Sequence, residues 1–288
     1  MFQYEAKRHG VRLSDTTKRE IERQLALIKE DGTASVGALA SLGEILPSSL
    51  KEAIRNAIFG RNYCIVENLP EAYPRKNILL FSMLIGKPVS YERDACADRG
   101  LVIDIKPRRE HDGGSPSFRT STEFDFHTDL SYMDQPPDYL SLYCIRQDPG
   151  KTAYNKLVQL GAVIEGAPHW VIRELEKPQY VFQAPPHVEG EPYTLNEMPV
   201  ISRTKDGGYT MRIRRDKMRS PCERSARAVE HLFQAMERLS FRITLEPSSM
   251  VILSNLKLAH ARSAFLPTYD ERDRHLIKLF SVNGTEPH

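Results

Sequence analysis

Apolar residues recur at helical spacing through the first ninety positions of the chain. A capping box begins at Thr17, and apolar residues then follow on one face, as in an amphipathic helix. The same pattern begins again at Ser49, and Pro74 stands at the start of a third apolar stripe. We therefore predict a mostly helical part over residues 1–90, with a short buried strand at 63–66.

Beyond residue 100 the apolar period changes to two, which is typical of half-buried strands. The strand-like runs cover residues 101–105, 139–145, 180–182, 199–202, 209–213, 241–245, 250–253 and 275–280. Helical spacing interrupts them at about 155–176 and 224–239. Helices followed by many short strands predict a mainly β chain with flanking helices (α+β). We expect an antiparallel double-sheet core over 100–288, with helices packed outside, in a single domain spanning 1–288.

Two polar segments without periodicity separate these strands. Residues 106–121 are rich in Gly, Pro, Ser and Arg, and residues 185–196 form a second insert. A loop of this length inside a compact domain is usually functional or disordered. We therefore expect residues 106–121 to act as a lid over a binding site, with residues 185–196 as a second candidate.

The composition restricts the class of protein. Apolar residues make up 40% and charged residues 27%, as in ordinary globular proteins. No apolar run is long enough to cross a bilayer, and the N-terminus has no apolar signal core, so we expect a cytoplasmic protein with no membrane partner. The net charge of +2 gives no general attraction to nucleic acid, and four scattered cysteines predict neither a disulfide framework nor a zinc ribbon.

His127 and Asp129 form a His-x-Asp pair directly after the long polar loop. In an extended backbone, residues i and i+2 point to the same side, so this pair presents an imidazole and a carboxylate to one point. The pair alone is a weak signal, but His260 follows an apolar strand far downstream and is the candidate for a third ligand. Two imidazoles and one carboxylate leave three adjacent positions of an octahedral ion open, which suits iron(II) oxygen chemistry. A zinc hydrolase would keep only one open position and would require a general base nearby.

The motifs around these residues resemble a known family. Residues 126–129 (Phe-His-Thr-Asp), followed by residues 137–146, are similar to the proximal metal motif and next strand of the taurine dioxygenase and clavaminate synthase-like superfamily of iron(II)/2-oxoglutarate oxygenases. Residues 255–260, then Arg274, resemble its distal metal motif and co-substrate arginine. The resemblance spans roughly residues 57–282, and the combined pattern is specific although each part alone is not.

The resemblance implies a role for each matching residue and a double-stranded β-helix (jelly-roll) core. His127, Asp129 and His260 would hold iron(II). The 2-oxoglutarate co-substrate would chelate the iron through its keto oxygen and near carboxylate, and Arg274 would pair with its far carboxylate as a planar two-donor fork. Thr152 stands where the family often places a hydroxyl that also bonds the co-substrate.

Two positions depart from the pattern of many amino-acid hydroxylases in the clavaminate synthase-like branch. Those relatives carry Glu where this chain has Asp129, and a second Arg where this chain has Lys278. Lys278 can still supply a positive point charge to a substrate carboxylate. Arg212, Arg214 and Asp216 are further candidate substrate contacts that would fit a zwitterionic amino acid, although solvated surface charge is the alternative interpretation of these three.

The resemblance implies oxidation of an unactivated carbon with O2, coupled to conversion of 2-oxoglutarate into succinate and carbon dioxide. We expect hydroxylation of a small polar metabolite, an amino acid or a close derivative, while desaturation, ring closure and epoxidation share the same first step. One alternative is a metal-dependent hydrolase or isomerase with the same ligands. Another is a non-enzymatic binding module that uses the basic cluster at residues 212–219, although no aromatic stacking motif accompanies that cluster.

Overall fold

The computed structural model of the chain describes residues 4–7, 9–29, 33–90, 100–114, 117, 119–184 and 194–283. The helices are α1 (Asp15–Leu27), α2 (Thr33–Ile45), α3 (Ser48–Arg61), α4 (Pro74–Ser82), α5 (Leu160–Glu165), α6 (His169–Leu175) and α7 (Glu223–Leu239). None of the helices within these ranges is long and apolar enough to cross a bilayer.

The strands are β1 (Tyr4–Lys7), β2 (Gly10–Leu13), β3 (Tyr63–Glu67), β4 (Lys87–Val89), β5 (Val102–Ile105), β6 (Phe124–His127), β7 (Tyr139–Arg146), β8 (Asn155–Gln159), β9 (Tyr180–Gln183), β10 (Thr194–Met198), β11 (Ile201–Arg203), β12 (Tyr209–Met211), β13 (Met218–Arg219), β14 (Phe241–Ile243), β15 (Ser249–Ser254), β16 (Leu258–Arg262) and β17 (His275–Val282). The fold is therefore mixed α/β and rich in sheet. Two short 3₁₀ turns, Arg109–His111 and Arg215–Lys217, complete the described elements.

Two sheets carry most of the strands. The larger has the order β1-β2-β3-β15-β7-β17-β4, with β5 also paired to β17, and the smaller has the order β14-β8-β16-β6. Two minor sheets join β10, β9 and β13, and β11 with β12. The β2–β3 pair is parallel, and the other described pairs are antiparallel, as the sequence predicts for the core.

Side chains of β17 alternate between two apolar cores because successive residues of a strand point to opposite faces. Leu276 and Phe280 lie in the core that the larger sheet shares with the smaller sheet, where Leu157 joins them. Ile277 and Leu279 lie on the opposite face, in a second core that the N-terminal helices cover. The two larger sheets thus pack face to face, with helices on the outside of the larger one.

The N-terminal part contains more structure than the sequence predicts. Helix α1 begins one turn earlier than expected, because Ser14 is its N-cap and accepts a hydrogen bond from the backbone N–H of Thr17. The β1–β2 hairpin and α2 are absent from the prediction; α2 (33–45) is rich in small residues, so its apolar stripe is weak. The predicted start at Pro74 and the predicted strand at 63–66 are confirmed.

The predicted helix at about 155–176 is wrong for its first residues. Residues 155–159 form β8, whose Leu157 pairs with Phe241 on one side and His260 on the other. The remainder is two short helices, α5 and α6, because Gly166 and Pro168 end the first and begin the second. A short strand that is apolar on both faces can contain as many apolar residues as the buried face of a helix of similar length. Periodicity alone therefore did not distinguish the strand from a helix here.

The polar segment 106–121 is held by hydrogen bonds, apart from positions 115, 116 and 118, which lie outside the described residues. Asp112 accepts hydrogen bonds from the backbone N–H of Ser121 at 2.7 Å and from its hydroxyl at 2.9 Å. Tyr269 also donates to Asp112, which ties the segment to the turn before β17. Most of the second predicted lid, residues 185–193, lies outside the described residues.

Leu140 on β7 provides a test of the shared core, because its side chain is fully buried between the sheets. Leu140→Ala should reduce the free energy of unfolding by about 2–5 kcal/mol through lost apolar burial and a residual cavity. The matched control, Leu266→Ala, removes a side chain that is 87% exposed and should change it by less than about 0.5 kcal/mol. Urea unfolding measures the free energy of unfolding of both variants. An equal loss in Leu140→Ala and Leu266→Ala would contradict this description of the core.

Candidate metal centre

His127 stands at the end of β6 with its ring orientation fixed by the backbone. The Nδ1–H of His127 donates to the carbonyl oxygen of Asp125 at 2.8 Å. This hydrogen bond leaves Nε2 as the nitrogen with a free lone pair. That Nε2 lies 3.5 Å from Oδ1 of Asp129, and Phe124 stacks on the ring with centroids 3.8 Å apart. The imidazole therefore presents one defined ligand atom beside a carboxylate.

Asp129 reaches the same point from a turn, not from the strand that the sequence predicted to carry both residues. Strand β6 ends at His127, and Leu130 adopts a left-handed φ of 56° directly after Asp129. The fully buried Asn255 holds this turn. Its Oδ1 accepts from the N–H of Asp129 at 2.8 Å, and its Nδ2 donates to the carbonyls of Asp129 and Pro137, each at 3.0 Å. The position of Asp129 thus depends on an amide from the distal motif.

His260 meets His127 across the smaller sheet. The two residues are register partners in the β16–β6 pair, and their rings lie 4.2 Å apart between centroids at an angle of 49°. Ligand atoms of His127, Asp129 and His260 all lie within 4.8 Å of one another. The Nδ1 of His260 is buried and has no hydrogen-bond partner among the described residues. A convergent set of two imidazoles and a carboxylate, with an orphaned ring nitrogen, fits a divalent metal ion.

The electrostatic environment favours the protonation states that a metal requires. Burial, with the adjacent His127, lowers the pKa of His260 to about 3, so its imidazole is neutral at pH 7. Burial alone would raise the pKa of Asp129, but the ammonium of Lys278 and the two imidazoles outweigh it and hold that pKa well below its usual range. Lys278 Nζ lies 3.7 Å from Oδ2 of Asp129. The site therefore combines a neutral His260 imidazole with an ionised carboxylate, as metal ligation needs.

A cavity between the two sheets contains these three residues and an excess of positive charge. Its described lining includes Arg214, Arg262, Arg274 and Lys278, whereas Asp129 is the only carboxylate. Leu130, Tyr132, Leu142 and Leu276 supply apolar wall. Because the cationic groups outnumber the anionic ones, this lining favours an anionic ligand.

Arg274 is buried in the wall of this cavity. Its guanidinium has no hydrogen bond or ion pair with any residue that the structure describes, and burial lowers its pKa to about 10. The group lies 5.9 Å from the centroid of the Phe265 ring. A buried guanidinium that its own chain leaves unpaired is costly unless an anion completes it. The sequence-predicted metal ligands and Arg274 are thus brought together.

Two other predicted contacts do not reach the cavity. Thr152 is exposed, and its hydroxyl and backbone N–H both donate to Asp148, at 2.9 and 2.8 Å. The guanidinium of Arg212 donates to backbone carbonyls of the turn after Asp129, including that of Ser131 at 2.6 Å. Neither residue lines the cavity. The geometry therefore does not support a ligand contact for either, because Thr152 holds its own loop and Arg212 holds the turn after Asp129.

The basic cluster at 212–219 is largely paired within the chain. Arg214 lines the cavity, donates to Asp216 at 3.0 Å and lies over the ring of Phe124 at 5.2 Å. Asp216 itself lies outside the cavity lining. Arg215 donates to a glutamate of α7 at 2.7 Å. These internal pairs do not favour a nucleic-acid surface, which would keep such charges available for phosphates.

Two polar residues of the cavity were not identified from the sequence. Arg262 and Asn155 both line it, and both are buried. Arg262 follows His260 by two residues on β16, so strand alternation places both side chains on one face. That spacing was the available signal for Arg262. Asn155 carried none, because the sequence predicted a helix at its position. Burial, followed by the neighbouring charge of Arg274, lowers the pKa of Arg262 to about 9.

Comparison with known proteins gives one family and several relatives. The family model described as "Taurine catabolism dioxygenase TauD, TfdA family" matches residues 28–279. The L-lysine 3-hydroxylase of Catenulispora acidiphila is 25% identical over 212 residues, which cover 70% of this chain and 57% of that protein. The L-asparagine oxygenase of Streptomyces coelicolor is 25% identical over 183 residues, or 62% of this chain and 54% of that protein. The matched region thus spans little more than half the length of these curated relatives.

Solved structures agree on the fold. A crystal structure of asparagine oxygenase in complex with Fe(II), 2S,3S-3-hydroxyasparagine and succinate superposes with a TM-score of 0.87. The superposition covers 96% of this chain and 94% of that one, at 20% sequence identity. At this identity the similarity establishes the shared fold.

Asn255→Ala tests whether the distal amide positions the proximal ligand. The change leaves backbone groups of Asp129 and Pro137 unpaired, so we expect unfolding to become easier by about 2–4 kcal/mol. We also expect weaker binding of divalent metal, measured by titration with cobalt(II), because the Asp129 turn loses its support. The control Asn56→Ala alters an exposed amide on α3 and should change neither quantity. Wild-type cobalt affinity in folded Asn255→Ala would show that Asp129 is positioned without this contact.

Proposed function

The chain belongs to the taurine catabolism dioxygenase TauD, TfdA family, and from this premise we propose that it is an iron(II)- and 2-oxoglutarate-dependent oxygenase. One observation carries the proposal. Three ligand atoms, from His127, Asp129 and His260, converge in a cavity that Arg274 also lines, and the buried guanidinium of Arg274 pairs with no residue that the structure describes. That arrangement supplies a metal face and an anion-binding group in a single cavity.

Each residue of the site has a distinct role in this proposal. His127, Asp129 and His260 hold the iron, and Arg274 binds the far carboxylate of 2-oxoglutarate. Iron(II) bound with 2-oxoglutarate and O2 supplies the oxidising power, with succinate and carbon dioxide as by-products. The hydrogen bond from His127 to Asp125 keeps the ligand nitrogen aimed at the metal position. The apolar walls contributed by both sheets exclude water from the reacting carbon.

We also propose that residues 1–288 form one oxygenase domain whose core is a double-stranded β-helix. The observation that supports it is an apolar core to which both major sheets contribute. The N-terminal helices cover the outer face of the larger sheet and pack on β7, β15 and β17. On this basis the helices support the sheet that carries Lys278 and that Arg274 directly precedes, and none of their described residues lines the cavity.

The substrate we propose is an amino acid or a close derivative, not a nucleic acid or a membrane surface. The lysine 3-hydroxylase and asparagine oxygenase relatives support this class. In this chain Lys278 is 5% exposed, lines the cavity and lies beside Asp129, so its ammonium can meet a substrate carboxylate near the metal. Arg214 offers a second cationic group on the same wall. Hydroxylation is the expected outcome, because it requires no further contact beyond placement of one carbon.

His127→Ala and His260→Ala test the metal assignment. Each variant removes one ligand, so succinate formation that depends on iron(II) and 2-oxoglutarate should fall to background during a screen of amino acids. Released succinate is measured with and without each amino acid. Turnover in either variant would remove the assignment. A metal-dependent hydrolase or isomerase would instead act without 2-oxoglutarate.

Arg274→Leu tests the co-substrate role against a matched control two positions away. Loss of a bidentate charged contact should raise the 2-oxoglutarate concentration needed for half-maximal turnover by about 10- to 100-fold, with iron binding largely intact. Arg272→Leu changes a guanidinium that pairs with Asp270 on the surface and should have no such effect. If Arg274→Leu needs no more 2-oxoglutarate than the wild type for half-maximal turnover, Arg274 does not bind the co-substrate.

A further inference from the structure

Three buried polar side chains with unused hydrogen-bonding capacity line one part of the cavity. Asn155, Arg262 and Arg274 are each 7% exposed. Among the described residues, neither the amide of Asn155 nor the guanidinium of Arg274 has a hydrogen-bond partner. Arg262 donates to the carbonyls of Ser117 and Thr122, and its Nε is buried without a partner. A guanidinium has five N–H donors, so Arg262 retains donors beyond these two contacts.

The three side chains belong to one end of the cavity. Arg262 and Asn155 are register partners in the β16–β8 pair, so their side chains share one sheet face. Arg274 comes from the opposite sheet, directly before β17. Both guanidiniums lie near the ring of Phe265, with the ring centroid 5.4 Å from that of Arg262 and 5.9 Å from that of Arg274. We call Asn155, Arg262 and Arg274 the carboxylate pocket.

The carboxylate pocket contains two positive charges and no described anion that pairs with them. Neither arginine forms an ion pair with a carboxylate in the described part of the chain, although Asp112 and Asp148 act on them from a distance. Two like charges buried together oppose folding unless a ligand compensates them. The arrangement therefore favours an anionic group of a ligand, which would accept hydrogen bonds from both guanidiniums.

Spacing along the strands connects the carboxylate pocket to the metal centre. Arg262 lies two residues beyond His260 on β16, which is about 7 Å along a strand. The reach of a short 2-oxo dicarboxylic acid, from its chelating end to its far carboxylate, is of the same order. Lys278 lies four residues beyond Arg274, about 13 Å along the chain, beside Asp129. Lys278 and Arg274 thus lie at different points of the cavity lining, with Lys278 beside a metal ligand.

We propose that Arg262 and Asn155 bind the far carboxylate of 2-oxoglutarate together with Arg274, so that this chain uses two guanidiniums and one amide where Arg274 and the hydroxyl of Thr152 were expected. The inference rests on the proposed function and specifies its co-substrate site. It assigns to Arg262 and Asn155 the discrimination between 2-oxo dicarboxylic acids and 2-oxo monocarboxylic acids. Arg262 also donates to the backbone carbonyls of Ser117 and Thr122, so these two hydrogen bonds hold its guanidinium in place.

The test compares two ligands that differ in the far carboxylate. Zinc-loaded full-length protein, which binds without turnover, is titrated by calorimetry with 2-oxoglutarate and with 2-oxobutyrate. Arg262→Gln should weaken 2-oxoglutarate binding by about 10- to 100-fold and Asn155→Ala by about 3- to 10-fold. Neither change should alter 2-oxobutyrate binding by more than about 2-fold, since that ligand has no far carboxylate. Arg203→Gln, a surface change, should leave both affinities at the wild-type value.

The outcomes separate the two claims. Unchanged 2-oxoglutarate affinity in Arg262→Gln, or an equal loss for both ligands, would overturn the role of Arg262. Trypsin digestion at Arg108 and Arg119 reports whether the 106–121 segment has become accessible. Faster cleavage would show that an equal loss for both ligands comes from a change in this segment and not from a lost contact with the far carboxylate. If Arg262→Gln does not fold, Arg262→Lys keeps the charge without the fork and should show a selective loss of about 3- to 10-fold. Wild-type protein that fails to bind 2-oxoglutarate at all would instead overturn the proposed function.

Discussion

The antiparallel register of β16 against β6 is the constraint on which the site depends. It sets His260 directly opposite His127, so two imidazoles from distant parts of the chain meet on one face of the smaller sheet. A shift of this pairing by one residue would turn His260 and Arg262 to the other face of the sheet. The residues of the metal centre and of the carboxylate pocket would then no longer lie together. Asn255 fastens the same two segments from the side, since its amide bonds the turn that carries Asp129. The positions of the candidate metal ligands are therefore set by this strand pairing.

The cavity lining contains more than one cationic group. Arg262 and Arg274 line the cavity together with the three candidate ligands, and Lys278 lines it beside Asp129. With several cations in its lining, such a cavity can bind two anionic groups without competition for the same cation. The hydrogen bonds of Asp112 with Ser121 and Tyr269 tie the described part of the 106–121 segment to the turn before β17, and Ser117 of this segment lines the cavity.

Much of this was predictable from the sequence, and the remainder shows where pattern reading loses information. Residue type and order predicted His127, Asp129 and His260 as a set, and the alternation of apolar and polar residues predicted most core strands. Both signals can be read from the linear sequence without knowledge of the fold. The direction of Thr152 and Arg212 was not predictable, since nearby acceptors capture these side chains only after the loops fold. The amide of Asn255 carried no chemical signal of its own, because its role is to satisfy backbone groups of another segment. Strand β8 was misread because a short apolar run fits a helix and a buried strand equally well.

The central claim is that a single ferrous ion and 2-oxoglutarate bind together at His127, Asp129 and His260. Anaerobic titration of the iron(II)-loaded protein with 2-oxoglutarate, followed by visible absorption, tests it most directly. The account predicts a weak charge-transfer band that requires both components and saturates when each chain holds one equivalent of co-substrate. A protein that binds iron(II) but develops no band at saturating 2-oxoglutarate would contradict it.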